Sequence, residues 1–226
     1  MQAVALTVTG RVCALKNVRI ILTKSGRMKF ASHLDMNRLM SRVVRRSGIP
    51  IWYTEGYNQH PYLTFALPLS LGFTSEYEVL DIRLVDDDFS YDAVKSALSS
   101  VLPDGLSVVS VNDCQKKPGE IAFAEFLIKF ECDDENLADS LKNFLSQPSI
   151  LTEKKTKKGK YKEIDMVPFI KSFSVSVETN ITLNIVLAAG GENNLNPTLL
   201  LSAYGELPYY TVHRKMIYDK DMECFK

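Results

Sequence analysis

Arginines between residues 38 and 46 form the first group of side chains whose types and spacing could bind a ligand. The group is Arg38, Arg42, Arg45 and Arg46, with Arg27 and Lys29 just upstream. Four aromatic residues follow closely, namely Trp52, Tyr53, Tyr57 and Tyr62. Guanidinium groups bind phosphates and flat rings stack on unpaired bases, which is the chemistry of single-stranded RNA recognition. The alternative is a charged helix face that only meets solvent.

His60 is the candidate catalytic residue. Pro61 restricts the backbone beside it, so the imidazole is held at a defined place near Asn58 and Glu55. Histidine titrates near neutrality and could act as a general acid or base. No nucleophile or metal-ligand spacing accompanies it, which favours a loop histidine that bonds a backbone carbonyl.

The other two histidines do not predict a metal site. His33 falls in the first turn of a predicted helix, two residues before Asp35, and this spacing favours a capping role over a ligand role. His213 and Arg214 are adjacent in a predicted strand and so project to opposite faces. The four cysteines lie far apart and form no CxxC pair, which argues against zinc or an iron–sulfur cluster held by this chain.

Two other groups of charged residues could bind a ligand or could simply face solvent. Six lysines cluster at a predicted hairpin tip, Lys154, Lys155, Lys157, Lys158, Lys160 and Lys162. Glu76 and Glu78 lie two apart on a predicted strand and should share a face, where they would meet solvent or the arginine helix. The predicted substrate or RNA contacts are Arg27, Lys29, His33, Arg38, Arg42, Arg45, Arg46, Tyr57, Asn58, His60 and Arg214.

Composition limits the class of protein. The chain has 226 residues, 46% of them apolar, which suffices for one domain or two small ones. Its 27 basic and 27 acidic residues cancel, so affinity for nucleic acid must come from local clusters. Residues 3–9 make a poor signal peptide, and no apolar run approaches the length of a membrane span. We expect a cytoplasmic protein with reduced thiols.

The elements that position these residues follow a repeated order. The first half predicts strands at 18–23, 49–53, 76–84 and 106–111, an extended segment at 63–69, and helices that begin at Ser32 and Ser90. The second half predicts a strand at 124–132, a helix at 133–145, an extended segment at 161–173, a strand within 174–187, a helix opened by Asn196 and Pro197, and a strand at 209–218.

Both halves therefore predict the β-α-β-β-α-β order of the ferredoxin-like arrangement. The expected fold is α+β with two ferredoxin-like halves and antiparallel sheets, and one mixed sheet is the alternative. The expected domains are an N-terminal extension at 1–17, a domain at 18–114 and a second domain at 121–226. The Lys-Lys-Pro-Gly run within 115–120 predicts a linker between them.

Five short motifs resemble the signature of the radical-SAM-linked protein family, which is defined largely as a domain of unknown function. They are SHLD at 32–35, RRSGIP at 45–50, EGYNQHP at 55–61, LPLSLG at 67–72 and SEYE at 75–78. The resemblance covers about residues 18 to 220. One departure is Gln59, where the family pattern has proline.

The resemblance implies a partner, because members occur beside radical S-adenosylmethionine proteins or as their C-terminal extensions. That partner would carry the iron–sulfur cluster and S-adenosylmethionine, with no cofactor in this chain. We expect a non-catalytic binding module that presents an RNA or ribonucleoprotein substrate. The alternatives are an enzyme acting on RNA or a small molecule through His60, and a structural subunit that binds an acidic protein. Standard nucleotide-binding and RRM motifs do not occur.

Overall fold

The structure is a computed structural model that describes residues 7–8, 11–12, 15–155, 161–191 and 193–226. The chain forms two compact units, Met1–Lys117 together with Lys226, and Pro118–Phe225. The boundary between the units falls inside the stretch predicted as a linker. Strands β1 (Thr7–Val8) and β2 (Arg11–Val12) pair within the predicted N-terminal extension, and residues 1–6, 9–10 and 13–14 lie outside the described residues.

After β1 and β2, the described residues of the first unit form four more strands and two α-helices. They are β3 (Lys16–Lys24), α1 (His33–Arg46), β4 (Leu63–Phe65), β5 (Thr74–Leu84), α2 (Tyr91–Ser99) and β6 (Leu106–Asp113). A 3₁₀ helix, Gly26–Phe30, leads into α1. The strands lie in the order β4-β5-β3-β6, and each neighbouring pair is antiparallel.

Branched apolar residues at every second position form the core face of this sheet. Val18 and Ile20 of β3 lie opposite Ile82 and Leu80 of β5, and all four are fully buried. The buried side chains of α1 recur at helical spacing and belong to the same core cluster, as do those of α2. The core therefore fixes which side of α1 faces solvent.

The second unit repeats the order with one inserted hairpin. Its elements are β7 (Ile121–Phe130), α3 (Glu135–Leu145), β8 (Leu151–Lys155), β9 (Tyr161–Asp165), β10 (Ile170–Val177), β11 (Ile181–Ala188), α4 (Pro197–Tyr204) and β12 (Tyr210–Asp219). The sheet order is β10-β11-β7-β12, with antiparallel neighbours. β8 and β9 pair with each other as a separate two-stranded sheet, and 3₁₀ turns occupy Pro118–Glu120 and Val167–Phe169.

The α+β class with antiparallel sheets is confirmed. Elements β3 to β6 follow the β-α-β-β-α-β order, and elements β7 to β12 follow it with the β8–β9 hairpin inserted. Two predicted elements are wrong in detail. The segment at 161–173 breaks after Asp165, whose carboxylate accepts hydrogen bonds from the Ile150 and Val167 backbone N–H groups and so holds a turn. The strand at 49–53 is reduced to isolated bridges at Ile51 and Tyr53, because Pro50 has no N–H to donate to a ladder.

Within the described part of the chain, no helix is both long enough and apolar enough to cross a membrane.

Candidate nucleic-acid interface

A capping box begins the arginine helix at a defined residue. The Ser32 hydroxyl oxygen accepts the Asp35 backbone N–H at 3.2 Å, and Asp35 Oδ2 accepts the Ser32 backbone N–H at 3.1 Å. The Ser32 hydroxyl also donates to Asp35 Oδ2 at 2.6 Å. These donors hold the pKa of Asp35 below its usual value. The predicted helix start is confirmed, and Ser32 rather than His33 is the cap.

Replacing Ser32 with alanine should lower the free energy of unfolding of the first unit by about 1 kcal/mol, because the cap bond to Asp35 is lost. The measurement is urea unfolding followed by the fluorescence of Trp52, the single tryptophan, which lies in the first unit. Ser41→Ala, inside α1, is the control and should not destabilise, since alanine favours a helix interior. Equal midpoints for Ser32→Ala and wild type would contradict the capping assignment.

The arginines form a continuous stripe on the outer face of α1. Met36, Met40, Val43 and Val44 face the core. Arg38, Arg42 and Arg45 recur at spacings of four and three residues on the opposite face and are exposed, and Arg46 is exposed beside them. We call Arg38, Arg42 and Arg45 the arginine stripe. Among the described residues, no carboxylate forms a salt bridge with these four arginines.

Glu76 and Glu78 do not share a face, contrary to the prediction. Between the pairs Leu22–Glu78 and Lys24–Ser75, β5 advances three residues while β3 advances two. This bulge interrupts the alternation, so Glu78 is buried and Glu76 is exposed. Neither carboxylate neutralises the arginine stripe.

The loop after α1 places aromatic rings at the C-terminal end of the stripe. The Arg45 guanidinium carbon lies 5.8 Å from the centroid of the Tyr53 ring. Tyr57 is fully exposed, and its neighbour Asn58 is exposed as well. Tyr53 is therefore exposed next to a guanidinium group, and Tyr57 is exposed four residues further along the same loop.

The other two rings belong to a stack that the sequence did not reveal. The Arg83 guanidinium carbon lies 4.6 Å from the Tyr62 centroid and 5.1 Å from the Trp52 centroid, and Arg83 Nε donates to Asn17 Oδ1 at 2.9 Å. The Trp52 backbone N–H donates to the Arg83 carbonyl at 2.7 Å. This stack ties the base of the loop to β5.

Hydrogen bonds hold His60 in place within an exposed loop. Its Nδ1 lies 3.1 Å from the Asn58 carbonyl oxygen and 3.1 Å from Thr54 Oγ1. Its backbone N–H donates to Thr54 Oγ1 at 3.2 Å, and its carbonyl accepts the Thr54 N–H at 2.9 Å. Since a carbonyl oxygen only accepts, the bond to Asn58 requires a proton on Nδ1. The predicted bond to a backbone carbonyl is present.

Three further predicted RNA contacts lie at or before the start of α1. Arg27 is exposed and Lys29 is half-buried, and both lie on the 3₁₀ helix before α1. His33 is exposed in the first turn of α1, and its ring packs edge-on against Phe65 at 5.8 Å. The 14 residues of α1 span about 21 Å, so His33 and the C-terminal Arg45 of the stripe lie close to a helix length apart.

Arg214 is a correction to the predicted surface. It lies in β12 and is 1% exposed, so its guanidinium is not available to a ligand that binds from solvent. Strand alternation separates it from His213 but does not reveal which face is covered.

The lysine cluster is only partly described. Lys154 and Lys155 lie in β8 and Lys162 in β9, which confirms the hairpin. Lys157, Lys158 and Lys160 at its tip lie outside the described residues.

Two observations on the described residues concern cysteine and metal chemistry. Burial, followed by the nearby Asp81 charge, raises the pKa of the Cys114 thiol to about 11, so the thiol is protonated at neutral pH. Within the described residues, the group of side chains close enough to hold a metal ion is Asp86, Asp87 and Asp88. Exposed acidic groups of this kind are common without a metal.

The fold and this surface define a two-unit α+β protein with an exposed arginine helix and an aromatic loop. The chain belongs to the family described as an uncharacterized protein conserved in bacteria (DUF2344), whose model matches residues 17–197.

Comparison with other proteins adds little about function. No curated protein matches the sequence. Chains of solved structures do match, among them one from the "Crystal Structure of a Cbf5-Nop10-Gar1 Complex", at 10% identity and a TM-score of 0.45. That match covers 88% of this chain and 48% of the other, so the chain spans about half the length of that neighbour. A likeness at this level carries no argument about function.

Proposed function

We propose that the protein is a non-catalytic binding module that works with a radical S-adenosylmethionine protein and holds an RNA or ribonucleoprotein substrate. The partnership is supported by the five motifs, and the RNA by the side chains of α1 and the loop at 55–61. In this proposal the module acts in the cytoplasm, and the partner carries the iron–sulfur cluster and S-adenosylmethionine.

The arginine stripe is the observation that carries the RNA proposal. Its three guanidinium groups are exposed on one helix face, and no carboxylate in the described residues pairs with them. The helical rise separates Arg38 from Arg42 by about 6 Å and Arg42 from Arg45 by about 4.5 Å along the axis. A row of exposed cations with no salt-bridge partner among the described residues suits the phosphates of one strand.

The aromatic loop favours a single strand over a duplex. Tyr57 has both ring faces open, and the Tyr53 ring lies beside Arg45. Bases in a duplex are stacked on each other, whereas unpaired bases can stack on such rings, typically with about 1–3 kcal/mol per base. Rings beside cations therefore indicate a loop, bulge or end of RNA as the bound part.

The direct test is binding of the purified chain to a short unstructured RNA and to the same RNA annealed to its complement. We expect the single strand to bind more tightly, and Tyr57→Ala to reduce that preference. Tyr209→Ala, another largely exposed tyrosine, in the second unit, is the matched control. If both RNAs bind with equal affinity and Tyr57→Ala changes neither affinity, the proposal of single-strand binding is wrong.

A second candidate function is an enzyme that uses His60, and the fixed orientation of its ring favours it. The two functions differ in the expected result for His60→Ala. A binding module keeps its fold and holds RNA within about twofold of wild type, since one exposed loop side chain is lost. An enzyme keeps binding but loses about 10²–10⁴-fold in turnover.

The measurement for His60→Ala is RNA retention together with mass analysis of the retained RNA after incubation. Asn180→Ala, in the turn between β10 and β11, controls for an unrelated loop change. If the wild-type chain yields modified or cleaved RNA and the His60→Ala variant does not, the enzyme replaces the binding module as the proposed function.

A further inference from the structure

Three large apolar side chains are exposed where α1 begins. Phe30 is 68% exposed, Leu34 is 57% exposed and Leu71 is 62% exposed. In the described part of the chain, four phenylalanine or aliphatic side chains are more than half exposed, and the fourth is Leu151 of β8. Three of the four therefore belong to one region, which we call the apolar patch.

Backbone hydrogen bonds bring the patch together from separate segments. The Gly72 N–H donates to the Lys29 carbonyl at 2.8 Å, which places Leu71 and Phe30 on adjoining stretches of chain. Gly72 has a φ of 86°, a conformation that favours glycine and lets this turn close. Leu34 follows in the first turn of α1, which the capping box holds. The patch is thus fixed by the fold.

Cations border the patch. Lys29 Nζ lies 5.1 Å from the centroid of the Phe30 ring, and Arg27 is exposed two residues earlier. Neither forms a salt bridge with a carboxylate of the described residues. The nearest acid in sequence, Asp35, is engaged by Ser32. The border is therefore positive, and no carboxylate of the described residues forms a salt bridge that neutralises it.

We propose that the apolar patch docks an acidic amphipathic segment of a partner protein. Apolar side chains of that segment, spaced three or four residues apart, would cover Phe30, Leu34 and Leu71, and its carboxylates would pair with Arg27 and Lys29. Exposed apolar clusters bordered by charge mark protein interaction sites. Phe30 is the one ring of the patch, and Leu34 and Leu71 offer neither a ring nor a hydrogen-bond donor, so the larger part of the patch suits apolar side chains better than RNA.

This inference deepens the proposed function and rests on it for the existence of a partner. It assigns the partner to the start of α1, while RNA binds the arginine stripe and the Tyr57 loop. A module of this design holds substrate and partner on one helix.

The first experiment places a photo-crosslinking amino acid at Leu71 of the full chain in its own cells. The expected product joins this chain to a peptide of another protein in which Asp or Glu alternates with apolar residues at helical spacing. A crosslink to RNA, to a second copy of this chain, or to no molecule would overturn the proposal.

The second experiment measures binding of a synthetic peptide with the crosslinked sequence to the purified full chain. Leu34→Gln combined with Leu71→Gln should weaken the affinity for the peptide by about tenfold or more, because two apolar anchors are lost. Val109→Gln, at an exposed apolar site on β6, should leave it unchanged. Equal affinity for all three chains would overturn the proposal.

Failure of this inference is distinguishable from failure of the RNA proposal. The variant with Leu34→Gln and Leu71→Gln, which we call the patch variant, should bind RNA with wild-type affinity. The variant with Arg38, Arg42 and Arg45 replaced should bind the peptide with wild-type affinity. Loss of RNA binding in the patch variant would show that the two ligands share one surface, and this too overturns the assignment.

Discussion

Asp81→Asn is expected to lower the free energy of unfolding of the first unit by about 3–5 kcal/mol, the usual cost of removing one partner from a buried ion pair. Arg19 on β3 lies directly opposite Asp81 on β5 and is 0% exposed. Its Nε and Nη2 each donate to the Asp81 carboxylate at 2.7 Å, and Nη2 also donates to the Lys116 carbonyl at 2.8 Å. An asparagine has one acceptor oxygen, and its NH₂ group faces a cation, so the Arg19 charge loses its compensation.

Urea unfolding monitored by Trp52 fluorescence measures this effect within the first unit. Asp104→Asn, an exposed carboxylate of the same unit, is the control and should change stability by less than about 0.5 kcal/mol. A loss of under about 1 kcal/mol for Asp81→Asn would mean that the buried pair is dispensable. Because α1 packs on the opposite face of this strand pair, a weakened pair also loosens the support of the arginine stripe.

Replacement of Arg38, Arg42 and Arg45 by glutamine is expected to weaken RNA binding and to reduce its dependence on salt. Each phosphate contact contributes about 0.7 to the slope of log affinity against log salt for a single strand, so three contacts contribute about 2. The fold should survive, since all three side chains lie on the exposed face of α1 and glutamine is a good helix former. The measurement is RNA affinity over a series of salt concentrations.

The control for this variant removes three positive charges from the second unit. Lys129, Lys142 and Lys220 are exposed there, and their replacement by glutamine changes the net charge by the same amount. The control should keep the wild-type slope. If both variants lose the same slope, binding reports net charge, and if neither does, the arginine stripe is not the RNA surface.

Local signals in the sequence predicted the helix starts well. Ser32, Ser90 and Asn196 each accept a backbone N–H at a helix start, and Pro197 occupies the first turn as expected. Such caps depend on residues two or three positions apart, which a sequence displays directly. The exposed face of α1 followed from the same short-range periodicity.

Features that depend on pairing between distant segments could not be predicted in this way. The Arg83 stack requires β5 to run beside the loop at Trp52, and the different burial of Glu76 and Glu78 requires a bulge in the register with β3. The apolar patch depends on the backbone hydrogen bond between Gly72 and Lys29, which joins segments far apart in the sequence. Arg214 was placed on the surface because charge alone does not show which side of a sheet is covered.

The most direct test of the central claim is crosslinking of the chain in its own cells, followed by RNA sequencing and mass spectrometry. The variant with Arg38, Arg42 and Arg45 replaced serves as the control. We predict that the wild-type chain is recovered with a defined RNA and a radical S-adenosylmethionine protein. The variant should lose the RNA and keep the partner. Recovery of the partner with no RNA, or of RNA equally from both chains, would contradict it.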